Sequence, residues 1–314
     1  LKVGAVGFGA PTAQIALMET ELVQKRKWVT HKQFMDMLAV TYLIPGPNAV
    51  EMAHFLGYAS AGLGGLLISG ICFILPPTFI TLLFAYFYAR FGTLPEVQVI
   101  LASITPMVIS IILDSGYRIG RSALKNLQTI LIFLACFIAA IIGMDNVLIT
   151  FLAGFLSLTV YFINQKKATP LFLFTVPIIR FHHLLNLDFL NDKKAQLFLY
   201  FLKIGAVLFG SGHVLFAYIN NDVVNRFNWL TSKQLVDAIA IGQITPGPVS
   251  SSVTFIGYLI EGIPGAISST FAFFLPSFIF VLLIEQFLLK IVKSPAIQSF
   301  FDGVNASVVA LIIV

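Results

Sequence analysis

The chain has 314 residues, 58% of them hydrophobic and only 11% charged, with a formal net charge of +5. A soluble domain carries about 25% charged residues, so the composition excludes an ordinary water-soluble globule and makes lipid the solvent. The positive residues cluster in loops between apolar runs, which reads as an orientation signal and excludes a nucleic-acid surface.

Runs of about 18 or more apolar residues are long enough to span a bilayer. In chain order such runs cover residues 1–18, 65–88, 97–113, 127–143, 147–163, 197–219, 265–289 and 296–314. Two further apolar segments are interrupted: residues 34–61 by Pro45-Gly46-Pro47, and 235–260 by Pro246-Gly247-Pro248. Two prolines in three residues remove two backbone donors and cannot continue a helix. Each segment is therefore predicted as two half-helices meeting at a break, either crossing the membrane or re-entering on the same side. The stretch 164–196 holds Lys166, Lys167, Arg180, His182, His183, Lys193 and Lys194, and reads as a connector. Its middle, 170–177, is apolar and suits a membrane surface. Cys72 and Cys136 lie inside apolar runs with no further ligand at metal spacing, so they read as free thiols and no metal or cofactor is expected. The sequence starts at Leu1 without methionine and stops at Val314 inside an apolar run, so both true ends are expected to lie beyond it.

The chain repeats itself. An offset of 201 carries Leu1-Lys2-Val3-Gly4 onto Leu202-Lys203-Ile204-Gly205, Phe8-Gly9 onto Phe209-Gly210, Trp28 onto Trp229, Asp36 onto Asp237, and Pro45-Gly46-Pro47 onto Pro246-Gly247-Pro248. After one gap the offset is 200, pairing Gly57-Tyr58 with Gly257-Tyr258 and Leu75-Pro76 with Leu275-Pro276. The expected fold is an all-α polytopic membrane protein of two repeats, with broken or re-entrant helices at the Pro-Gly-Pro motifs. Residues 1–163 form the first repeat plus an extra helix hairpin, 164–196 a cytoplasmic connector and 197–314 the second repeat.

Charge gives the orientation. Lys25-Arg26-Lys27, then Arg118, Arg121 and Lys125, then Lys166 and Lys167 share one side if the Pro-Gly-Pro segment returns to its own side. That side is cytoplasmic by the positive-inside rule. Arg226-Phe227-Asn228, the counterpart of Lys25-Arg26-Lys27, is poorer in charge, whereas Lys290 and Lys293 return to the cytoplasm. The two copies are thus expected to insert in opposite directions. Inverted repeats with helices broken at matching positions are the pattern of a secondary transporter.

At Phe8-Gly9-Ala10-Pro11, Trp28 and Ile44-Pro45-Gly46-Pro47-Asn48, the chain resembles the chromate ion transporter family. The second copy carries the same likeness at Phe209-Gly210-Ser211-Gly212-His213, Trp229 and Gln243-Ile244-Thr245-Pro246-Gly247-Pro248. The resemblance implies a multi-pass carrier of a bacterial-type inner membrane that exports chromate, or moves the similar dianion sulfate. Tyr42 stands where the family often has glutamine, a residue that Gln243 keeps. Ala10 and Ser211 replace glycine, and Gln14 lies near a place where histidine is common.

The candidate site follows from the breaks. Half-helix N-termini at Asn48 and near Ser250 present free N–H groups and partial positive charge, which suits an oxyanion. Asn48, Gln243, Thr245 and Ser250 would join Pro45, Gly46, Pro47, Pro246, Gly247 and Pro248 there; a structural kink is the other reading. Phe8, Gly9, Ala10 and Pro11, with Phe209, Gly210, Ser211, Gly212 and His213, sit mid-span, where small residues permit unwinding or close helix approach. Lys2 and Lys203 either mark the ion path or snorkel. Glu51 fits a capping partner of the new half-helix or a proton-coupling carboxylate, and His213 a proton carrier or a polar group paired within the bundle. Asp36 and Asp237 either brace an interface or pair with a basic residue. The expected partners are a small inorganic oxyanion and membrane lipid, with no nucleic acid; a homodimer stays open. An uncoupled anion channel or lipid scramblase is the alternative function. No His-Glu-x-x-His, serine-triad or paired acidic catalytic motif is present, so an enzyme is not expected.

Overall fold

The computed structural model describes residues 2–7, 11–42, 44–165, 192–208, 215–285 and 294–313. Among these residues there are helices and no strand. They are α1 (Lys2–Val6), α2 (Pro11–Met18), a π-helical segment Glu19–Lys25, α3 (His31–Thr41), α4 (Asn48–Phe91), α5 (Pro95–Ala123), α6 (Leu127–Ile141) and α7 (Asn146–Asn164). Then follow α8 (Lys193–Val207), α9 (Leu215–Asn220), a π-helical segment Asn221–Arg226, α10 (Ser232–Ile244), a 3₁₀ turn Val249–Ser251, α11 (Ser252–Glu285) and α12 (Pro295–Ile313). The chain packs as two compact units, Leu1–Ser110 with Leu190–Leu288, and Ile111–Phe189 with Leu289–Val314.

Within the first unit the duplicated sequences adopt matching backbones. Both π-helical segments are followed by a non-glycine residue at positive φ, Lys27 at 55° and Asn228 at 52°. Each next helix then opens on the same capping box. Thr30 and Thr231 accept from the backbone N–H of Gln33 and Gln234, whose side chains accept from the threonine N–H in return. Gly46 and Gly247 carry positive φ, 136° and 97°.

The long helices α4 and α11 each turn back on themselves. Ala61-Gly62 (φ −151°, ψ 29°; φ 60°, ψ −145°) and Glu261-Gly262 (φ −139°, ψ 24°; φ 62°, ψ −148°) break the helical geometry in the same way. A straight helix would separate residues sixteen apart by about 24 Å. Instead the Thr254 and Thr270 hydroxyls are 2.7 Å apart, and Ser269 Oγ donates to the Val253 carbonyl at 2.9 Å. In α4, a Cβ on Gly57 would run into the Gly65 carbonyl and the Ser69 hydroxyl, so only glycine lets the two limbs touch. Each hairpin thus has a short limb starting at Pro-Gly-Pro and a long limb starting after the glycine. The short limb of α4, residues 48–60, is about 20 Å long, less than the ~30 Å hydrocarbon core, whereas the long limb 63–91 reaches roughly 43 Å.

The runs 1–18 and 197–219 are not single spans. The first is α1 and α2, with a gap between Val6 and Pro11, and the second is α8 and α9. Pro11 has no N–H to extend the preceding helix but suits the first position of a new one. Phe8, Gly9, Ala10, Phe209, Gly210, Ser211, Gly212 and His213 lie outside the described residues, as do His182, His183, Lys290, Lys293 and most of the connector.

In the second unit α12 packs on α6 and α7 through small residues. A Cβ on Gly303 would strike the Ala153 carbonyl, and Gly154 abuts the Phe300 ring. Ser157 and Ser299 hydroxyls lie 3.2 Å apart, and Gln128 Nε2 donates to Ser157 Oγ at 3.0 Å. Among the described residues, four stretches are long and apolar enough to cross a bilayer: Asn48–Phe91, Asn146–Asn164, Val249–Glu285 and Pro295–Ile313. Large apolar side chains such as Ile68, Phe79, Leu127, Ile142 and Ile267 point outward. In water they would be a liability; in lipid they are the solvated surface, and the protein is an all-α, multi-pass membrane protein.

Candidate functional site at the helix breaks

The Pro-Gly-Pro break of each copy is tied to the broken helix of the other. Gly46 N–H donates to the Leu208 carbonyl at 2.5 Å, and Gly247 N–H donates to the Gly7 carbonyl at 2.9 Å. Gly7 and Leu208 are themselves the matching last described residues before the Phe-Gly motifs, so the two bonds are reciprocal. A buried backbone N–H left unpaired is costly; here the carbonyl at the end of each copy's first helix pairs the N–H of the other copy's break. Gln14 adds a third tie, donating to the Gly247 carbonyl at 2.6 Å.

The long limbs close the region from the far side, again reciprocally. Pro77 of α4 lies against Gly247, where a Cβ would sit 2.6 Å from the proline ring. Thr81, one turn further, donates to Ser251 at 3.2 Å. On the other copy, Ser277 of α11 lies 3.2 Å from His54 Nδ1, and Phe278 packs on the His54 ring at 4.1 Å. Tyr88 donates to Asp237 at 2.7 Å and packs edge-on to Phe255. Asp237 therefore braces α10 against the long limb of α4, which settles its role as a bracing group. Asp36, its counterpart, is half-buried on α3.

Polar groups gather at both breaks. Asn48 begins α4, and Ser250, Ser251 and Ser252 form the first turn after the second break; all four are buried, as is Thr245. The hydroxyl of Ser250 is fully buried and has no partner. Thr245 and Ser252 hydroxyls bond back to Ile241 and Val249 carbonyls. Pro45 and Gln243 are half-buried at the edge, and Gly46, Pro47, Pro246, Gly247 and Pro248 are buried. The first turns of both half-helices leave N–H groups without intrahelical acceptors.

Glu51 is fully buried on the same half-helix, and neither carboxyl oxygen has a partner. Its Oε1 lies against Gly46, where a Cβ would overlap it. The expected cap is not formed: the cap position falls on Pro47, which has no N–H for a carboxylate to accept. His54 lies one turn on, and its Nε2 is buried without a partner. Among the described residues no third histidine, cysteine or acidic group joins them to make a metal site.

The two lysines differ in exposure. Lys2 is exposed and bonded to Glu21 at 3.0 Å; Lys25 holds the same carboxylate at 2.7 Å. Together, Lys25 first, they pull the Glu21 carboxyl from 4.5 down to about 2. Lys2, Glu21, Arg26 and Trp28 line one end of an 800 Å³ cavity against the Gly57–Gly65 crossing of α4. At the second copy's tryptophan, Tyr200 packs edge-on to Phe227 and Trp229, which stack at 4.4 Å. Lys203 is buried on α8. Residues missed in the sequence were Gln14, Thr81, Tyr88 and Ser277. Gln14 was the legible one, an amide inside an apolar run; the others are ordinary helix residues until the fold places them.

A family model described as chromate transporter matches residues 1–158 and 195–314. A chromate transport protein of Cupriavidus metallidurans is 34% identical over 325 residues, spanning 99% of this chain and 79% of that protein. One of Pseudomonas aeruginosa is 31% identical over 330 residues, 99% of this chain and 77% of its own. The Bacillus subtilis transporter YwrA is 30% identical over 120 residues, only 38% of this chain but 67% of its own length. No solved structure matches. The matches run through both copies and both breaks, and the chain belongs to the chromate transporter family.

Proposed function

We propose that this membrane transporter carries a tetrahedral oxyanion, chromate or the isosteric sulfate, by alternating access, holding it where the two Pro-Gly-Pro breaks meet. The relatives are named for chromate transport. The observation that carries the site is the reciprocal pair of bonds, Gly46 to Leu208 and Gly247 to Gly7. It ties each break to the broken helix of the other copy, and both half-helix N-termini are buried among polar groups, each offering N–H groups and the positive end of a helix dipole. Irregular backbone at membrane depth is tolerated where it lies inside protein or lines a cavity. The unpartnered Ser250 hydroxyl supplies a ready donor. Ligation by dipoles and hydroxyls holds an anion without trapping it, which suits a carrier. Two copies inserted in opposite directions, with Lys25-Arg26-Lys27 cytoplasmic, give each face the same gate.

The test is labelled chromate and sulfate flux into proteoliposomes. The wild type is expected to show counterflow, in which unlabelled anion inside accelerates labelled uptake; a channel does not. Replacing Pro45-Gly46-Pro47 and Pro246-Gly247-Pro248 by alanines is expected to abolish it. Intact flux in that variant refutes the site.

A further inference from the structure

Glu51 is an ionisable group with nothing to balance it. It is fully buried, both carboxyl oxygens lack partners, and Oε1 rests on Gly46, the residue whose N–H joins the first break to Leu208. A carboxylate buried without donors or a cation is strongly disfavoured. The side chain is not a cap, since Pro47 offers no N–H. Its counterpart in the second copy is Ser252, whose hydroxyl is satisfied by the Val249 carbonyl, so the first copy alone carries an acid at this place.

The groups that face it from neighbouring elements do not neutralise it. On its own limb, His54 is engaged by Ser277 and Phe278 of α11. From α2, Gln14 reaches Gly247. Lys2 of α1 and Lys25 are committed to Glu21. α3 contributes Asp36 and, at its exposed start, His31 and Lys32. From the second copy come the Ser250 to Ser252 turn, Asp237 of α10 bonded to Tyr88, and Glu261 at the far tip of α11 bonded to Lys193. None of these is a cation within ion-pair distance of Glu51, among the described residues.

We propose that Glu51 takes up one proton when the oxyanion binds, so that the carrier moves proton and anion together. This rests on the breaks being the anion site. A dianion at the first break meets the Glu51 carboxyl, and two like charges cannot share that buried place. With a proton on it, Glu51 becomes a donor to an anion oxygen. The unpartnered arrangement described is that of the protonated acid; once the anion leaves, the side chain turns onto the half-helix N–H groups the anion vacated, gives up its proton there, and the empty carrier returns without it. The proton comes from water on the loading side and leaves to water on the release side. No bond other than O–H forms or breaks.

Anion binding to purified protein in weakly buffered detergent, followed with a pH-sensitive dye, should take up about one proton per sulfate bound. In proteoliposomes, wild-type apparent affinity for sulfate should rise about tenfold per unit fall in pH above the titration of the free carboxyl, the slope expected for one linked proton. Glu51→Gln, which cannot take up the proton, should lose the pH slope and lose accumulation driven by a pH gradient. His54→Gln should keep the slope. The proposal is overturned if Glu51→Gln still accumulates sulfate on a pH gradient, if the slope follows His54 instead, or if wild-type binding takes up no proton. In all three cases wild-type counterflow persists and the carrier reading stands. A wild type that moves neither sulfate nor chromate overturns both. Should Glu51→Gln fail to fold, the proton count on the wild type decides alone.

Discussion

Gly247→Ala tests whether the second break is packed as described. Gly247 has φ +97°, a conformation that costs a residue with a side chain about 1–3 kcal/mol. A Cβ there would also sit 2.6 Å from Pro77 Cβ and Cγ and 3.2 Å from the Gly4 carbonyl. Forcing a methyl into a packed contact adds about 1–3 kcal/mol, for a total of about 2–6 kcal/mol. Gly62 separates the two effects: its φ is +60°, but nothing lies within 4 Å of the added Cβ. Gly62→Ala should therefore cost only the backbone part, about 1–3 kcal/mol. Gly64, in helix and open space, should tolerate alanine or gain about 0.5–1 kcal/mol. The assay is the thermal midpoint of each variant in the same detergent, read by size-exclusion chromatography. A unit of this size shifts by roughly 2–4 °C per kcal/mol. The expected order is Gly64→Ala at or above wild type, Gly62→Ala slightly below, and Gly247→Ala lowest. A Gly247→Ala midpoint at or above that of Gly62→Ala would refute the packing of Pro77 on the break.

Tyr88→Phe should keep the ring contact with Phe255 but strand the buried Asp237, lowering stability by about 1.5–3 kcal/mol; an unchanged midpoint would show that the pair braces nothing. Glu21→Gln should destabilise in a pH-dependent way. The native carboxyl is held near 2 by Lys25 and Lys2 against an ordinary 4.5, so its contribution is complete above pH 4.5 and is lost as pH falls toward 2. Midpoints of wild type and Glu21→Gln should accordingly converge across that window, and a constant gap contradicts the ion pairs. Gln14→Leu removes the donor to the Gly247 carbonyl and should cut anion flux at least severalfold with normal membrane insertion, measured as initial uptake in proteoliposomes.

Much of the architecture was legible because the breaks are written in backbone chemistry. Proline cannot donate, so Pro45-Gly46-Pro47 and Pro246-Gly247-Pro248 end helices wherever they occur, and their repetition pairs them. The interruptions near the Phe-Gly motifs were less legible: the runs 1–18 and 197–219 read as single spans, with small residues that permit either unwinding or close helix approach. The reversals at Gly62 and Gly262 fall between the runs 34–61 and 65–88 and between the runs 235–260 and 265–289, so the ends of the limbs were legible. Hydropathy carries no direction, however, and the doubling back of one limb on the other was not. The capping reading of Glu51 failed on a single atom, the hydrogen that Pro47 lacks. Tyr88 with Asp237 was illegible because Leu288 stands where the repeat would put a second tyrosine. Lys2 shows the limit of matching positions: its equivalence to Lys203 says nothing of its partner, and Glu21 claims it.

The central claim is the place of the anion, and anomalous scattering from protein soaked with selenate, a tetrahedral dianion like sulfate and chromate, locates it directly. The expected result is one selenium peak within hydrogen-bonding reach of the first turns after Pro47 and Pro248, close to Ser250. A peak instead in the cavity between Lys2, Arg26 and Trp28, with none at the breaks, would contradict the account.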